Sequence, residues 1–107
     1  MIDWTRVSEL RDEIGAEDFG DVVEIFLEEV ETEIETLRGP VAHDALEGKL
    51  HFLKGSALNL GFRAFSGLCQ SGESAAAAGH FDTIDLPATV DAFERSRTAF
   101  MRGLETL

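Results

Sequence analysis

Apolar residues recur along this chain at spacings of three and four, the period of helices that bury one side. Residues 3 to 14 place Trp4, Val7, Leu10 and Ile14 in that pattern and stop at Gly15, which predicts a short leading helix. A longer stripe follows, from Phe19 through Val22, Val23, Phe26, Val30 and Ile34 to Leu37. Asp18 is its expected cap, and Gly39-Pro40 breaks it. A third helix is expected from about Ala42 to Leu60, with a core stripe of Leu46, Leu50, Leu53, Ala57 and Leu60. Gly61-Phe62-Arg63 should end or bend it. A fourth, roughly Ala64 to Ala78, is expected to bury Phe65, Leu68, Cys69, Ala75 and Ala76, with Gly79 at the left-handed cap position. The last starts near Pro87 and carries Val90, Phe93, Phe100, Leu104 and Leu107. Strand-type alternation is absent.

Helices with one apolar face each and no sheet to cover it predict an all-α fold. The expected arrangement is an antiparallel up-down four-helix bundle with a short additional N-terminal helix, in one domain over residues 1 to 107. At 107 residues the chain can bury one core without a metal or disulfide. The sole cysteine, Cys69, has apolar neighbours in Phe65 and Leu68 and reads as a buried thiol, which suits a reducing cytoplasm. The start, Met1-Ile2-Asp3-Trp4-Thr5-Arg6, lacks the basic and apolar regions of a signal peptide, and no run suits a membrane span. An initiating Met1 and a helix end at Leu107 fit a free-standing protein, expected to be a monomer because one bundle covers its own stripes.

Charge narrows the choice of partners. The net charge of −12 argues against nucleic acid or anionic membrane as partner, since phosphate recognition needs a basic footprint. Residues 1 to 48 hold fifteen acids and three arginines, whereas residues 49 to 107 hold six charges of each sign. The interval from Lys49 to Arg63 contains Lys49, Lys54 and Arg63 and no acid. A locally positive strip thus lies inside an acidic protein.

That strip contains the candidate chemistry. With the third helix's stripe facing the core, His51 lies roughly 140° from its centre and points to solvent. Gly48 and Gly55 flank it, although each glycine costs about 1 kcal/mol relative to alanine inside a helix. Small residues there leave the imidazole clear for another protein to close around. Lys54, one turn beyond, can reach a group attached to the ring, such as a phosphoryl group with its two negative charges. Histidine titrates near neutrality, so a neutral ring offers a nitrogen lone pair to phosphorus, with Nε2 the expected nucleophile. Glu47, four residues earlier, is the candidate to orient the ring or take its proton.

The segment His51-Phe52-Leu53-Lys54-Gly55-Ser56-Ala57-Leu58-Asn59-Leu60-Gly61 resembles the signature of histidine phosphotransfer (HPt) domains: a histidine, then x-Leu-Lys-Gly-Ser, then Asn-Leu-Gly. Leu68-Cys69, Glu73, the alanine-rich stretch closed by Gly79, and the acidic helix from Asp18 to Leu37 are similar to that family too. The resemblance implies that His51 accepts phosphate, Lys54 stabilises it and Gly55 gives access. It also implies response-regulator receiver domains and a hybrid sensor kinase as partners, with Mg²⁺ on the receiver and no cofactor on this chain. Phe52, Leu58 and Phe62 are the expected docking face. Two features depart from the pattern: Leu50 stands where many members have alanine, and the neighbouring helix offers Gln70, Ser71 or Ser74 as the polar side chain beside the histidine.

The chain has no glycine-rich nucleotide loop, so a carrier is expected rather than a kinase. The alternative from another class is a helical adapter that binds receiver or kinase domains without being phosphorylated. A zinc site on His43, Glu47 and His51 lacks ligands to finish its shell. His43 and His80 read as ordinary surface residues, Ser56 as a packing residue, and the glutamates from Glu24 to Glu35 as the solvated side of a helix.

Overall fold

The computed structural model describes residues 1–106 and is helical throughout. The helices are α1 (Trp4–Ile14), α2 (Phe19–Arg38), α3 (His43–Leu60), α4 (Arg63–Ala77) and α5 (Leu86–Leu104), with a 3₁₀ turn at Phe81–Thr83 between the last two. Helices α2 to α5 form a ring in which each packs on two neighbours, and α1 lies against α2 and α3. The bundle measures 43 × 21 × 21 Å. Among the described residues, no helix is long and apolar enough to cross a membrane.

The predicted stripes form the core, except that on α2 Leu27 is buried while Val22 and Phe26 are half-buried. Val23, Leu27, Val30, Ile34 and Leu37 of α2 meet Leu46, Leu50, Leu53, Ala57 and Leu60 of α3, with Phe65 and Cys69 from α4 and Phe93 and Phe100 from α5. Leu68 departs from expectation: it is exposed, and Gly72 and Ser66 take buried positions on α4 instead. The cause lies on the facing helix. A Cβ on Gly72 would stand 2.8 Å from Leu50 Cδ1, so the missing side chain on α4 makes room for the bulky Leu50 on α3. Leu107 lies outside the described residues.

The helix ends follow local chemistry. Asp3 caps α1 by accepting from the Arg6 N–H, and Asp85 caps α5 by accepting from the Ala88 N–H at 2.9 Å, one residue before Leu86-Pro87 opens the helix. Asp18 forms no side-chain cap on α2; the turn there is closed by backbone bonds from Asp18 and Phe19 to the Gly15 carbonyl. Gly61 and Gly79 both take positive φ, +79° and +77°. At each, the following two N–H groups return to the helix: Gly61 to Leu58 and Phe62 to Ala57, Gly79 to Ala76 and His80 to Ala75.

The turn at Gly61 does more than end α3. It swings Phe62 inward, where its ring meets Phe100 edge-on at 5.3 Å and Phe93 at 6.3 Å. Phe62 is therefore a buried core residue and not part of a docking face. The same turn fastens the N-terminus: Asp3 N–H donates to the Gly61 carbonyl at 2.7 Å, and Arg63 N–H to the Met1 carbonyl at 2.9 Å. Arg6 reinforces the junction, its guanidinium donating to the Asn59 carbonyl and, at 2.7 Å, to Asn59 Oδ1. Asn59 thus ties α3 to α1.

Candidate functional site

The site forms where α3 and α4 run side by side. His51 stands on the solvent side of α3, its side chain 70% exposed, because the α3 stripe that fixes the helix's rotation passes behind it. A Cβ added to Gly48 or Gly55 would meet nothing within 4 Å. Both glycines therefore border open space, and the approach to the ring is clear. Gly55, Phe52 and Leu58 line a shallow groove with His51 that runs down α3 to Asn59 and Arg6. Phe52 (43% exposed) and Leu58 (58%) present apolar surface there, as the sequence predicts.

The residue that organises the ring is Glu73, on α4. Its Oε1 lies 2.6 Å from His51 Nδ1. Lys54 reaches the same carboxylate, with Nζ 2.8 Å from Oε2 and a hydrogen bond to Oε1 at 3.3 Å. The side chains of Glu73 and Lys54 are only 14% and 22% exposed, so this pair is shielded while the imidazole is not. Hydrogen bonds from Lys54 and then His51 hold the Glu73 carboxyl below its ordinary value, with burial opposing. An ionised carboxylate only accepts, so in the neutral ring Nδ1 carries the proton and Nε2 keeps the lone pair. The ring is locked in one tautomer.

This corrects the expectation for Glu47. Glu47 is exposed and makes no hydrogen bond to the ring. Glu73 on α4, paired with Lys54, supplies the competing carboxylate that Nδ1 of His51 meets. Of the three polar candidates on α4, Gln70 joins the network by accepting from Lys54 Nζ at 3.1 Å, and Ser74 holds Gln70 by accepting from its Nε2 at 3.0 Å. Ser71 is exposed and takes no part. Glu73 stands out in the sequence as the only acid between Glu47 and Asp82, and that isolation within the neutral half of the chain is the signal that marks it.

Other candidates separate from the site. His43 stacks on Phe81 at 4.2 Å, at the far end of α3, and His80 lies past the end of α4. Among the described residues, no group of three or more His, Cys, Asp or Glu side chains gathers as a metal cluster, so His43, Glu47 and His51 do not converge. Cys69 is buried beside the site. Burial, aided by the charge of Glu73, pushes its thiol up to about 12, which leaves it unreactive.

Chemically, the arrangement is an exposed nitrogen nucleophile with a fixed tautomer, a carboxylate behind it and an ammonium beside it. The family model for the Hpt domain matches residues 21–102, which spans α3, α4 and nearly all of α2 and α5. Neither curated proteins nor solved structures gave a match. The chain belongs to the Hpt domain family, whose members serve histidine phosphotransfer in two-component signalling.

Proposed function

We propose that this chain is a phosphorelay carrier that receives a phosphoryl group on Nε2 of His51 from one partner and passes it to another. The observation that carries this reading is the 2.6 Å contact between His51 Nδ1 and Glu73 on an otherwise exposed ring. It leaves one nitrogen committed to the protein and the other free for chemistry. The partners are receiver domains bearing a phosphorylatable aspartate and a hybrid sensor kinase, the setting a reducing cytoplasm, and the carrier a monomer.

In the forward step, the Nε2 lone pair attacks the phosphorus of the receiver's aspartyl phosphate. The N–P bond forms as the P–O bond to the aspartate breaks, and that carboxylate leaves as an anion. No proton has to depart, because the positive charge arising on the ring is balanced by Glu73 against Nδ1–H. Lys54 can turn the N–H it gives to Gln70 toward the phosphoryl oxygens. Mg²⁺ belongs to the receiver and shields the transferring group there. Phe52 and Leu58 supply apolar contact, and Gly55 lets the partner's backbone approach. The reverse step regenerates the same neutral ring.

Incubation with phosphoramidate, a small N–P donor, tests the acceptor without requiring a matched partner. One phosphoryl group per chain, labile in acid and stable in base, is expected on the native protein and absent from His51→Gln. The charged protein should then lose its label to a receiver domain and keep it when the receiver's aspartate is replaced. Label that survives His51→Gln removes His51 from the mechanism, and no label at all leaves the adapter role.

A further inference from the structure

A second surface lies on the far side of the bundle. In the ring α2–α3–α4–α5, the α3–α4 seam carries His51 and Glu73, and the α2–α5 seam is diametrically opposite. That seam opens into a groove of about 470 Å³. Its floor is Val23 and Leu27 of α2, and its far wall is Met101 and Leu104 of α5. Met101 is 48% exposed, although its neighbours on the floor are core residues. The stretch of α2 that borders it, from Gly20 to Glu31, is about 16 Å long, roughly three helical turns.

The rim is acidic on one side. Glu24 and Glu28 stand one turn apart along the α2 edge, and neither has a cationic partner among the described residues. Of the other acids on α2, Glu31 meets Arg97 at 3.1 Å, Glu35 meets Arg38 and Glu33 meets Lys49, while Asp21 and Glu29, which do not line the groove, also lack a cationic partner among the described residues. Arg97–Glu31 closes one end of the groove. An apolar trough three turns long beside two unneutralised carboxylates matches one kind of ligand, a helix with an apolar stripe flanked by lysine or arginine. Met101 suits such a site because its flexible thioether adapts to the side chain it meets.

We infer that the α2–α5 groove docks a basic amphipathic helix of a partner protein, on the face opposite His51. Such a helix sets its apolar residues, spaced three and four apart, against Val23, Leu27, Met101 and Leu104, and its cations against Glu24 and Glu28. Because the two seams face opposite ways, a docked helix leaves the imidazole open. The carrier can then be held by one protein while it exchanges a phosphoryl group with another. This surface stands on its own observations and does not depend on the role of His51.

The test uses the full chain, labelled with ¹⁵N, and a synthetic Leu/Lys peptide of four turns with leucines at helical spacing. A scrambled peptide of the same composition keeps the charge and loses the apolar stripe. Saturable amide shifts centred on Val23, Leu27 and Met101 are expected from the amphipathic peptide, with affinity at least about tenfold above the scrambled one. Met101→Lys, a change at an exposed position, should weaken binding by about tenfold, and Glu24→Gln with Glu28→Gln by about fivefold. Circular dichroism confirms that each variant keeps its helices. Equal binding of the two peptides, shifts centred on α3 and α4, or unchanged affinity in Met101→Lys would each overturn the assignment.

Discussion

His51 and Lys54 both bond to one carboxylate, so Glu73 fixes the ring's tautomer and stores the ammonium beside it. Around this trio, size matters as much as charge. Gly55 borders open space and makes no contact that a methyl group would break. Gly55→Ala should therefore raise stability by about 1 kcal/mol, the difference in helix propensity, while slowing transfer from a receiver roughly tenfold as the methyl group meets the incoming partner. Thermal melts and transfer kinetics on the same variant check this, and a slower rate with a lower melting temperature would show that the glycine is structural. His51, Lys54 and Gly55 were legible in the sequence because they lie within one helical turn of each other and a wheel places them. Glu73 was not assigned its role because that depends on how α3 and α4 are rotated and aligned, which a single-helix pattern does not contain.

At the scale of elements, the α3–α4 pair is held in register by complementary volumes. Leu50 projects into the space that Gly72 leaves, and this brings Glu73 level with His51. The left-handed turn at Gly61 then couples that pair to α1. A Cβ at Gly61 would stand 2.8 Å from the Asp3 carbonyl oxygen in a backbone conformation that side chains disfavour. Gly61→Ala is expected to cost about 2 kcal/mol or more in urea unfolding and to loosen α1, seen as faster amide exchange at Val7. A loss below about 0.5 kcal/mol would mean the N-terminal junction is not built as described. The helices themselves were readable because their stripes keep a 3.6-residue period and break at glycine or proline. The sequence does not show the placement of Phe62 and Leu68, and for a common reason. The predicted break at Gly61-Phe62-Arg63 left the direction of the exit open, and the turn's handedness turns Phe62 into the core while Gly72, not Leu68, meets α3.

Over the whole molecule, charge is distributed unevenly along the chain. The net −12 comes entirely from residues 1 to 48, and the half that bears His51 is neutral overall. A receiver's acidic pocket that docks over residues 49 to 63 would meet a stretch without acids. Glu73 links this site to the protein's acid stability. Its pKa in the fold lies below the ordinary 4.5, so the stability it contributes is complete above that pH and is lost as pH falls through the lowered value. Unfolding of the native chain and Glu73→Gln should thus differ at pH 7 and converge as the pH is brought below 4.5. A constant difference across that range would show that the carboxylate's ionisation contributes nothing. Ring-nitrogen NMR of the protein charged with phosphoramidate identifies the atom that takes the phosphoryl group. Phosphorus bonded to Nε2 of His51, with the proton retained on Nδ1, is the predicted result. Phosphorus on Nδ1 of His51, or on His43 or His80 in its place, would contradict it.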